Sequence, residues 1–403
     1  MTTAAYAPTL RYTHWDVIGV VVGSGIVTAI QVGKAAIATP MLQNDLGLDL
    51  AAAGWLTGIF AVLGLVGGIP AGTLVSSGGD RRMLVFGLVA IALGTVMGAT
   101  APGYAVLLAS RVLEGFGFLL VTVAGPAILN RVAKDGHRDI AFALWSCFMP
   151  VGMALAMLAG PLFSDWRTLW WGNAGLAAAA IVAGLAVVPA APARVSVSWR
   201  SAWRSAASDA LRVLTSREPV LLAACFACYS LMFFALFSFL PVLLMEQMEI
   251  AHGTAGWLSS VTTGANIIGN LGAGYLLARG ASRSALLAGA YLIMGLAGVG
   301  IFLQVFGGTP TLALCLLFSG VGGLIPATLI SSAPLSAPSA ALAPVVIGLV
   351  MQGSNLGQVI GPVTIGGAIA SYGWKAAAGI ILITGSIAAI AALVISFDDK
   401  PTP

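Results

Sequence analysis

Apolar stretches, broken by short clusters of glycine, proline and charge, recur along the whole chain. A helix rises 1.5 Å per residue, so about 20 such residues cross the roughly 30 Å of bilayer hydrocarbon. Turn residues and charges divide the 403 residues into twelve predicted spans, over 15–38, 52–75, 83–101, 104–129, 140–163, 168–190, 219–243, 254–278, 284–306, 309–331, 343–370 and 374–397. Polar positions inside these spans are few, and each must face protein or water rather than lipid. Thr262, Asn266 and Asn270 recur every four residues on span 8, and Gln352, Asn355 and Gln358 do nearly the same on span 11. Tyr229 adds an amphipathic side chain to span 7.

Composition turns these spans into a class. The chain is 59% hydrophobic and only 8% charged, where a soluble domain carries roughly 25% charged residues. This predicts an all-α, polytopic membrane protein. The net charge of +4 is therefore no sign of nucleic-acid binding, and its placement matters more than its size. With the N-terminus inside, 14 of the 18 Lys and Arg lie in cytoplasmic segments, and only Arg167 and Lys375 fall outside. Both termini are expected on the cytoplasmic side, with no cleavable leader before span 1. Cys225 and Cys228 have a redox spacing, but inside a membrane helix and without a neighbouring histidine they read as packing. His14, His137 and His252 sit at span edges or in loops. No metal cluster, nucleophile–base pair or phosphate-binding loop occurs, so neither an enzyme, a cofactor nor ATP-driven chemistry is expected.

The chain repeats itself. Residues 54–87 align without a gap on 256–289, and Gly54, Trp55, Leu56, Gly67, Gly72, Gly78, Arg81 and Gly87 meet identical residues 202 positions later. Pro40 precedes the first Gly-Trp-Leu by 14 residues and Pro241 precedes the second by 15. Two pseudo-symmetric six-helix bundles follow, 1–190 and 219–403, related by an axis along the membrane normal. Between them, 191–218 is a basic cytoplasmic linker. Its Trp199, Trp203, Ala206, Ala210 and Val213 share one helical face, which suits an amphipathic helix on the inner leaflet as well as a plain basic connection.

The two six-helix halves, the basic central loop and the Gly-Trp-Leu entry to spans 2 and 8 resemble the major facilitator superfamily of secondary transporters. After span 2 that family carries a glycine, an acid four residues later and a basic cluster. Here Gly72, Asp80, Arg81 and Arg82 match, but Ser76 stands where the acid is expected, so Asp80 is the candidate to replace it in the cytoplasmic gate. Arg111-Val-Leu-Glu114-Gly115-Phe-Gly117 fits the family's span 4 pattern. The glycine pair that drug exporters carry in span 5 is missing after Gly160-Pro161, and a looser version, Gly361-Pro362 with Gly366-Gly367, sits in span 11. Span 1 resembles bacterial carriers of cyanate and related small anions, which implies a bacterial inner membrane.

Lys34 is the residue that most needs explaining, because an ammonium at the bilayer centre costs about 3 kcal/mol or more. Counted from the predicted end of span 1, it lies roughly 10 Å deep, a depth shared by Arg111 on span 4. In the family both spans line a central cavity, so the two cations are expected to face one water-filled pocket. Glu114 follows Arg111 by three positions and can pair with it. It is the one carboxylate well inside a span and hence the candidate for proton coupling. The set has a net charge of +1, and the second half supplies no counter-charge. An anionic substrate would supply it; the alternatives are that Lys34 snorkels to the outer headgroups or forms a structural pair with Glu114. The expectation is thus a monomeric secondary transporter of a small organic or inorganic anion, proton-coupled or exchanging, working by alternating access. Lys34 and Arg111 would hold the anion, and Gln31, Tyr229, Asn266, Gln352 and Asn355 would orient it. The alternatives are a proton-driven drug exporter, which would tolerate Lys34→Gln, and a non-transporting receptor on a carrier fold.

Overall fold

The computed structural model describes residues 13–67, 79–134, 137–190, 209–303, 305–339 and 342–395. Every regular element among them is helical. Span 1 is Trp15–Leu46, and it ends on Gly47 in the left-handed conformation (φ +64°), whose N–H caps the Gln43 carbonyl. Pro40 lies inside this helix instead of ending it. Lys34 is therefore 12 residues, about 18 Å along the axis, from the C-terminal end of this helix, farther than the predicted end of span 1 implied.

Span 2 runs over Leu50–Gly67, begins on the Asp49 side-chain cap and tightens into a 3-10 turn at Ile59–Ala61. Spans 3 and 4 are Asp80–Ala99 and Tyr104–Val132. Span 5 is broken at Cys147 between Arg138–Ser146 and Phe148–Ala159, because Pro150 lacks an N–H and its ring clashes with the carbonyl one turn earlier. Span 6, Trp166–Val187, starts on the Asp165 cap. In span 7, Arg217–Phe237 is followed by Leu240–Met248, with Pro241 in the first turn of the second piece. Span 8 is His252–Ala278 and span 9 Arg283–Leu303. Span 10 consists of Gly308–Gly322 and Leu324–Ser332, span 11 is Ala343–Tyr372 and span 12 Lys375–Val394.

Ten helices among the described residues are long and apolar enough to cross a membrane. Spans 8 and 11 fall outside that group although they have 27 and 30 residues. These are the two helices with the amide and hydroxyl stripes, so the polar content that lowers their hydropathy is the content expected to face inward.

The bundles meet mainly through spans 2 and 11 and through spans 5 and 8. These contacts gather at the end of the molecule opposite Trp15 and Val394. Gly54 lies against the Pro362 carbonyl and Gly58 against that of Val359, while Gly256 lies against the Met157 carbonyl and Pro161. A Cβ at any of these glycines would overlap the facing helix, and such small residues let membrane helices approach closely. Gly54 and Gly256 belong to the repeated Gly-Trp-Leu, so the repeat places one glycine on each side of the same seal. His252 Nε2 reaches the Ile37 carbonyl across the bundles at 3.3 Å.

Of the linker, Trp199, Trp203, Ala206, Arg200 and Arg204 lie outside the described residues, as do Gly68, Gly72 and Ser76 after Gly67. Val213 is 1% exposed and shares a groove with Ala210, Leu214, Val345, Leu349 and Gln352. At this described end Val213 lies in the groove beside span 11, while Leu211 and Leu214 are exposed.

Candidate functional site

Among the described residues, polar side chains within the spans gather in two separate centres, one in each bundle. In the first, Gln31 and Lys34 are one turn apart on span 1, and Arg111 and Glu114 are one turn apart on span 4. Spans 3 and 6 close the centre with Thr95, Trp170 and Asn173. Gly94 and Gly98 make room for it, since a Cβ at Gly94 would strike Glu114 and one at Gly98 the Trp170 indole.

Lys34 Nζ lies 2.7 Å from Glu114 Oε1, 2.6 Å from Gln31 Oε1 and 3.4 Å from Thr95 Oγ1. It also stands 4.6 Å from the centre of the Trp170 ring, within cation–π range. Arg111 Nη1 pairs with Glu114 Oε2, and its Nε donates to the Leu56 carbonyl at 3.1 Å. The Arg111 guanidinium lies 4.6 Å from the centre of the Phe60 ring, and its Nη2 has no hydrogen-bond partner among the described residues. Gln31 Nε2 donates to the Val27 carbonyl and, at 3.5 Å, to Asn173 Oδ1. Lys34, Gln31, Thr95, Arg111 and Glu114 are all fully buried.

Sequence reasoning expected Lys34 and Arg111 to hold an anion in the space between the bundles, with a Lys34–Glu114 pair as an alternative. The contacts follow the alternative. Glu114 bridges the two cations, and Lys34 points toward spans 3, 4 and 6. Spans 3 and 6 pack on spans 1 and 4 within the first bundle. Thr95, Trp170 and Asn173 were missed; the one signal for them was an amide and a hydroxyl inside otherwise apolar runs.

The second centre is neutral. Asn266 Nδ2 donates to Tyr229 Oη and to the Ser319 carbonyl, each at 3.1 Å, and Asn270 Nδ2 donates to Asn266 Oδ1 at 2.9 Å. Ser230 and Ser354 hydroxyls lie 2.9 Å apart, and Gln358 reaches Ser354. Asn355 stands against Gly64 where spans 2 and 11 touch, whereas Gln352 lines the linker groove away from Tyr229 and Asn266. Of the five predicted orienting residues, Gln31 belongs to the first centre, and the other four divide into one connected pair, one helix-contact amide and one groove residue.

Aromatic rings occupy the ground between the centres. Phe60 packs edge-on against Phe118 at 5.1 Å, and Phe118 reaches Phe148 at 6.4 Å. On the other bundle Tyr229 stacks on Phe233 at 5.6 Å, with Phe226 6.0 Å from Tyr229. Phe60, Phe118, Phe226, Tyr229 and Phe233 belong to one apolar cluster that runs across the bundles.

Asp80 opens span 3 and pairs with Arg131 at the end of span 4, at 2.8 and 3.1 Å. Arg131 also donates to the Pro189 carbonyl and Arg81 to that of Leu185. Asp80 and Arg81 tie spans 3, 4 and 6 together, and Arg82 is exposed.

The sequence matches the profile of the Major Facilitator Superfamily over residues 21–350 and again over 250–403. The chain belongs to the Major Facilitator Superfamily. Members are secondary transporters rather than enzymes, and the fold agrees. The D-xylose-proton symporter superposes with a TM-score of 0.75 at 14% identity, covering 95% of this chain and 98% of that one. A bacterial homologue of the human lysosomal transporter Spinster, in an inward-facing and occupied conformation, gives 0.70 at 17% identity over 94% and 93%. Among curated superfamily proteins, the puromycin resistance protein pur8 of Streptomyces alboniger is 27% identical over 42% of this chain and 34% of its own length. The tetracenomycin C resistance and export protein of Streptomyces glaucescens is 26% identical over 44% and 34%. The chain thus spans about a third of the length of these relatives. The 3-(3-hydroxy-phenyl)propionate transporter of Escherichia coli is 26% identical over 60% of this chain and 59% of its own.

Proposed function

We propose that this superfamily transporter moves an organic solute with an aromatic body, coupled to protons, and that the Lys34–Glu114–Arg111 cluster is the coupling centre rather than the place where the solute binds. The observation that carries this reading is the orientation of Lys34: its ammonium is buried on Glu114 and faces spans 3 and 6, while the cluster joining the bundles is aromatic and apolar. A solute held between Phe118, Phe226, Tyr229 and Phe233 would gain ring contacts, and Asn266 and Asn355 would supply hydrogen bonds. The one cation beside that wall is the Arg111 guanidinium over Phe60, already paired with Glu114, so a small inorganic anion such as cyanate would find few partners there.

Alternating access would rock one six-helix bundle against the other, opening the glycine seal between spans 2 and 11 and spans 5 and 8. The distribution of Lys and Arg supports cytoplasmic termini in a bacterial inner membrane, and the single pair of bundles supports a monomer working with the 191–218 linker.

One observation favours a narrower cargo, an aromatic acid. Arg111 Nη2 is buried without a partner among the described residues, and a carboxylate is its natural complement. The relative that carries 3-(3-hydroxy-phenyl)propionate fits this version, and the resistance and export relatives fit the broader one.

Proteoliposome flux of 3-phenylpropionate, ethidium, galactose and cyanate under an imposed pH gradient tests the proposal. Expected is flux of an aromatic probe that a protonophore lowers and that Asn266→Leu or Phe233→Ala reduces several-fold. Cyanate flux without aromatic flux would overturn it.

A further inference from the structure

The coupling centre has one more positive charge than negative. A proton-coupled cycle must let one group in it gain and lose a proton, and the sequence suggests Glu114, the one carboxylate. The geometry argues for a different group. This inference rests on the cluster being the coupling centre proposed above.

We infer that Lys34 is the proton carrier, cycling between ammonium and amine, while Glu114 stays ionised as the fixed bridge to Arg111. Two observations support the assignment. The first is the charge count. With Lys34, Arg111 and Glu114 ionised the cluster has a charge of +1; losing the Lys34 proton takes it to zero, whereas protonating Glu114 takes it to +2. All three side chains are fully buried, and the cost of an ion in a low-dielectric interior rises steeply with net charge. The guanidinium keeps its proton under all physiological conditions. A cycle between +1 and zero is therefore the cheaper one.

The second observation is the hydrogen-bond pattern, which accepts both forms of Lys34 without moving a heavy atom. As an ammonium, Nζ directs its three protons to Gln31 Oε1 at 2.6 Å, Glu114 Oε1 at 2.7 Å and Thr95 Oγ1 at 3.4 Å. The Thr95 hydroxyl meanwhile donates to Gln31 Oε1 or Glu114 Oε1, at 3.3 and 3.2 Å. As an amine, Nζ keeps its first two donations and turns its lone pair to Thr95, whose hydroxyl rotates to donate to it. Thr95 is thus a positioning residue with a switchable proton. Glu114 has no such freedom. Its Oε1 accepts from Lys34 and its Oε2 from Arg111, so an added proton would remove the negative charge that both cations share.

The groups facing Lys34 from each neighbouring element are Gln31 on its own span, Thr95 on span 3, Arg111 and Glu114 on span 4, and Trp170 and Asn173 on span 6. Of these only Arg111 and Glu114 are charged. The step balances simply: the N–H bond of the ammonium breaks, its electron pair stays on Nζ, and the proton passes to solvent on the side to which the bundles are open. The reverse step takes a proton from solvent on the other side.

The test needs no cargo, so it can fail while the transport reading stands. The chain has four lysines, Lys34, Lys134, Lys375 and Lys400. With the ζ-nitrogens labelled with 15N and the full chain in lipid nanodiscs, the signal lost in Lys34→Arg identifies Lys34. Expected is a Lys34 signal in the wild type that moves from the ammonium to the amine shift as pH is raised, with no pH-dependent carboxylic-acid infrared band that Glu114→Gln abolishes. A Lys34 signal that stays at the ammonium shift overturns the inference, and so does a carboxylic-acid band assigned to Glu114. Both titrations are read on the unaltered protein, and if Lys34→Arg does not fold, Lys134→Arg, Lys375→Arg and Lys400→Arg assign the other three signals and leave that of Lys34 by elimination.

Discussion

Lys34 Nζ and Glu114 Oε1 meet at 2.7 Å with both side chains closed off from solvent. The pair joins span 1 to span 4, and Arg111 anchors the same carboxylate from the other side. Removing Glu114 would leave two buried cations with no counter-ion. Breaking a buried pair in this way costs about 3–5 kcal/mol. Glu114→Gln is expected to lower the thermal denaturation midpoint in detergent well below that of wild type, and Glu114→Gln combined with Lys34→Met to lower it by less than the sum of the two single changes. Additive losses would show that the pair is not energetically coupled.

The far-end seal depends on glycine at symmetric places. Gly54→Leu and Gly256→Leu each put a side chain where a facing backbone carbonyl lies. With spin labels at Asn44 and Gln247, exposed positions on the two bundles, the measured distance should lengthen in both variants relative to wild type. An unchanged distance distribution would mean that the seal does not depend on these contacts.

Asp80 and Arg131 form a partly buried, two-pronged pair. Hydrogen bonds to charged groups contribute about 1.5–3 kcal/mol each. Asp80→Asn should therefore destabilise the protein by an amount in that range, read from thermal unfolding, and Arg131→Gln by a similar amount, because either change loosens the same joint between spans 3, 4 and 6.

Tyr229 Oη accepts from Asn266, which also holds the Ser319 carbonyl. Tyr229→Phe removes one bond and keeps the ring stacked on Phe233, so the fold should hold while the Michaelis constant for an aromatic cargo rises a few-fold. Tyr229→Leu, which also removes the ring, should raise it further. Equal effects of the two would assign no role to the ring.

The span positions and the Arg111–Glu114 pair were legible in the chain because both follow from short-range rules, whereas Lys34 joined them only through the family resemblance. Apolar length defines a span, and residues three or four apart share a face. The direction of Lys34 was not legible. It was taken from the family's cavity-lining spans, and only the depth came from ending span 1 at 38, whereas membrane helices tolerate proline where neighbours satisfy the freed carbonyl and the helix runs on to Leu46. Pro241 and Pro150, by contrast, do mark breaks. The partners from spans 3 and 6 were hidden for a different reason. Thr95 and Asn173 are single polar residues without a periodic stripe, and their meeting with span 1 is a tertiary fact. Spans 8 and 11, with repeated amides, announced themselves.

Proton-driven accumulation by Lys34→Arg separates a cargo-binding lysine from a proton-carrying one most directly. Arginine keeps the positive charge but does not give up its proton. In proteoliposomes with an imposed pH gradient, the aromatic probe that wild type concentrates should reach no more than its equilibrium level in Lys34→Arg, as wild type does with a protonophore. Accumulation by Lys34→Arg close to that of wild type would contradict the role of Lys34 as coupler and return it to the role of a fixed cation for an anionic cargo.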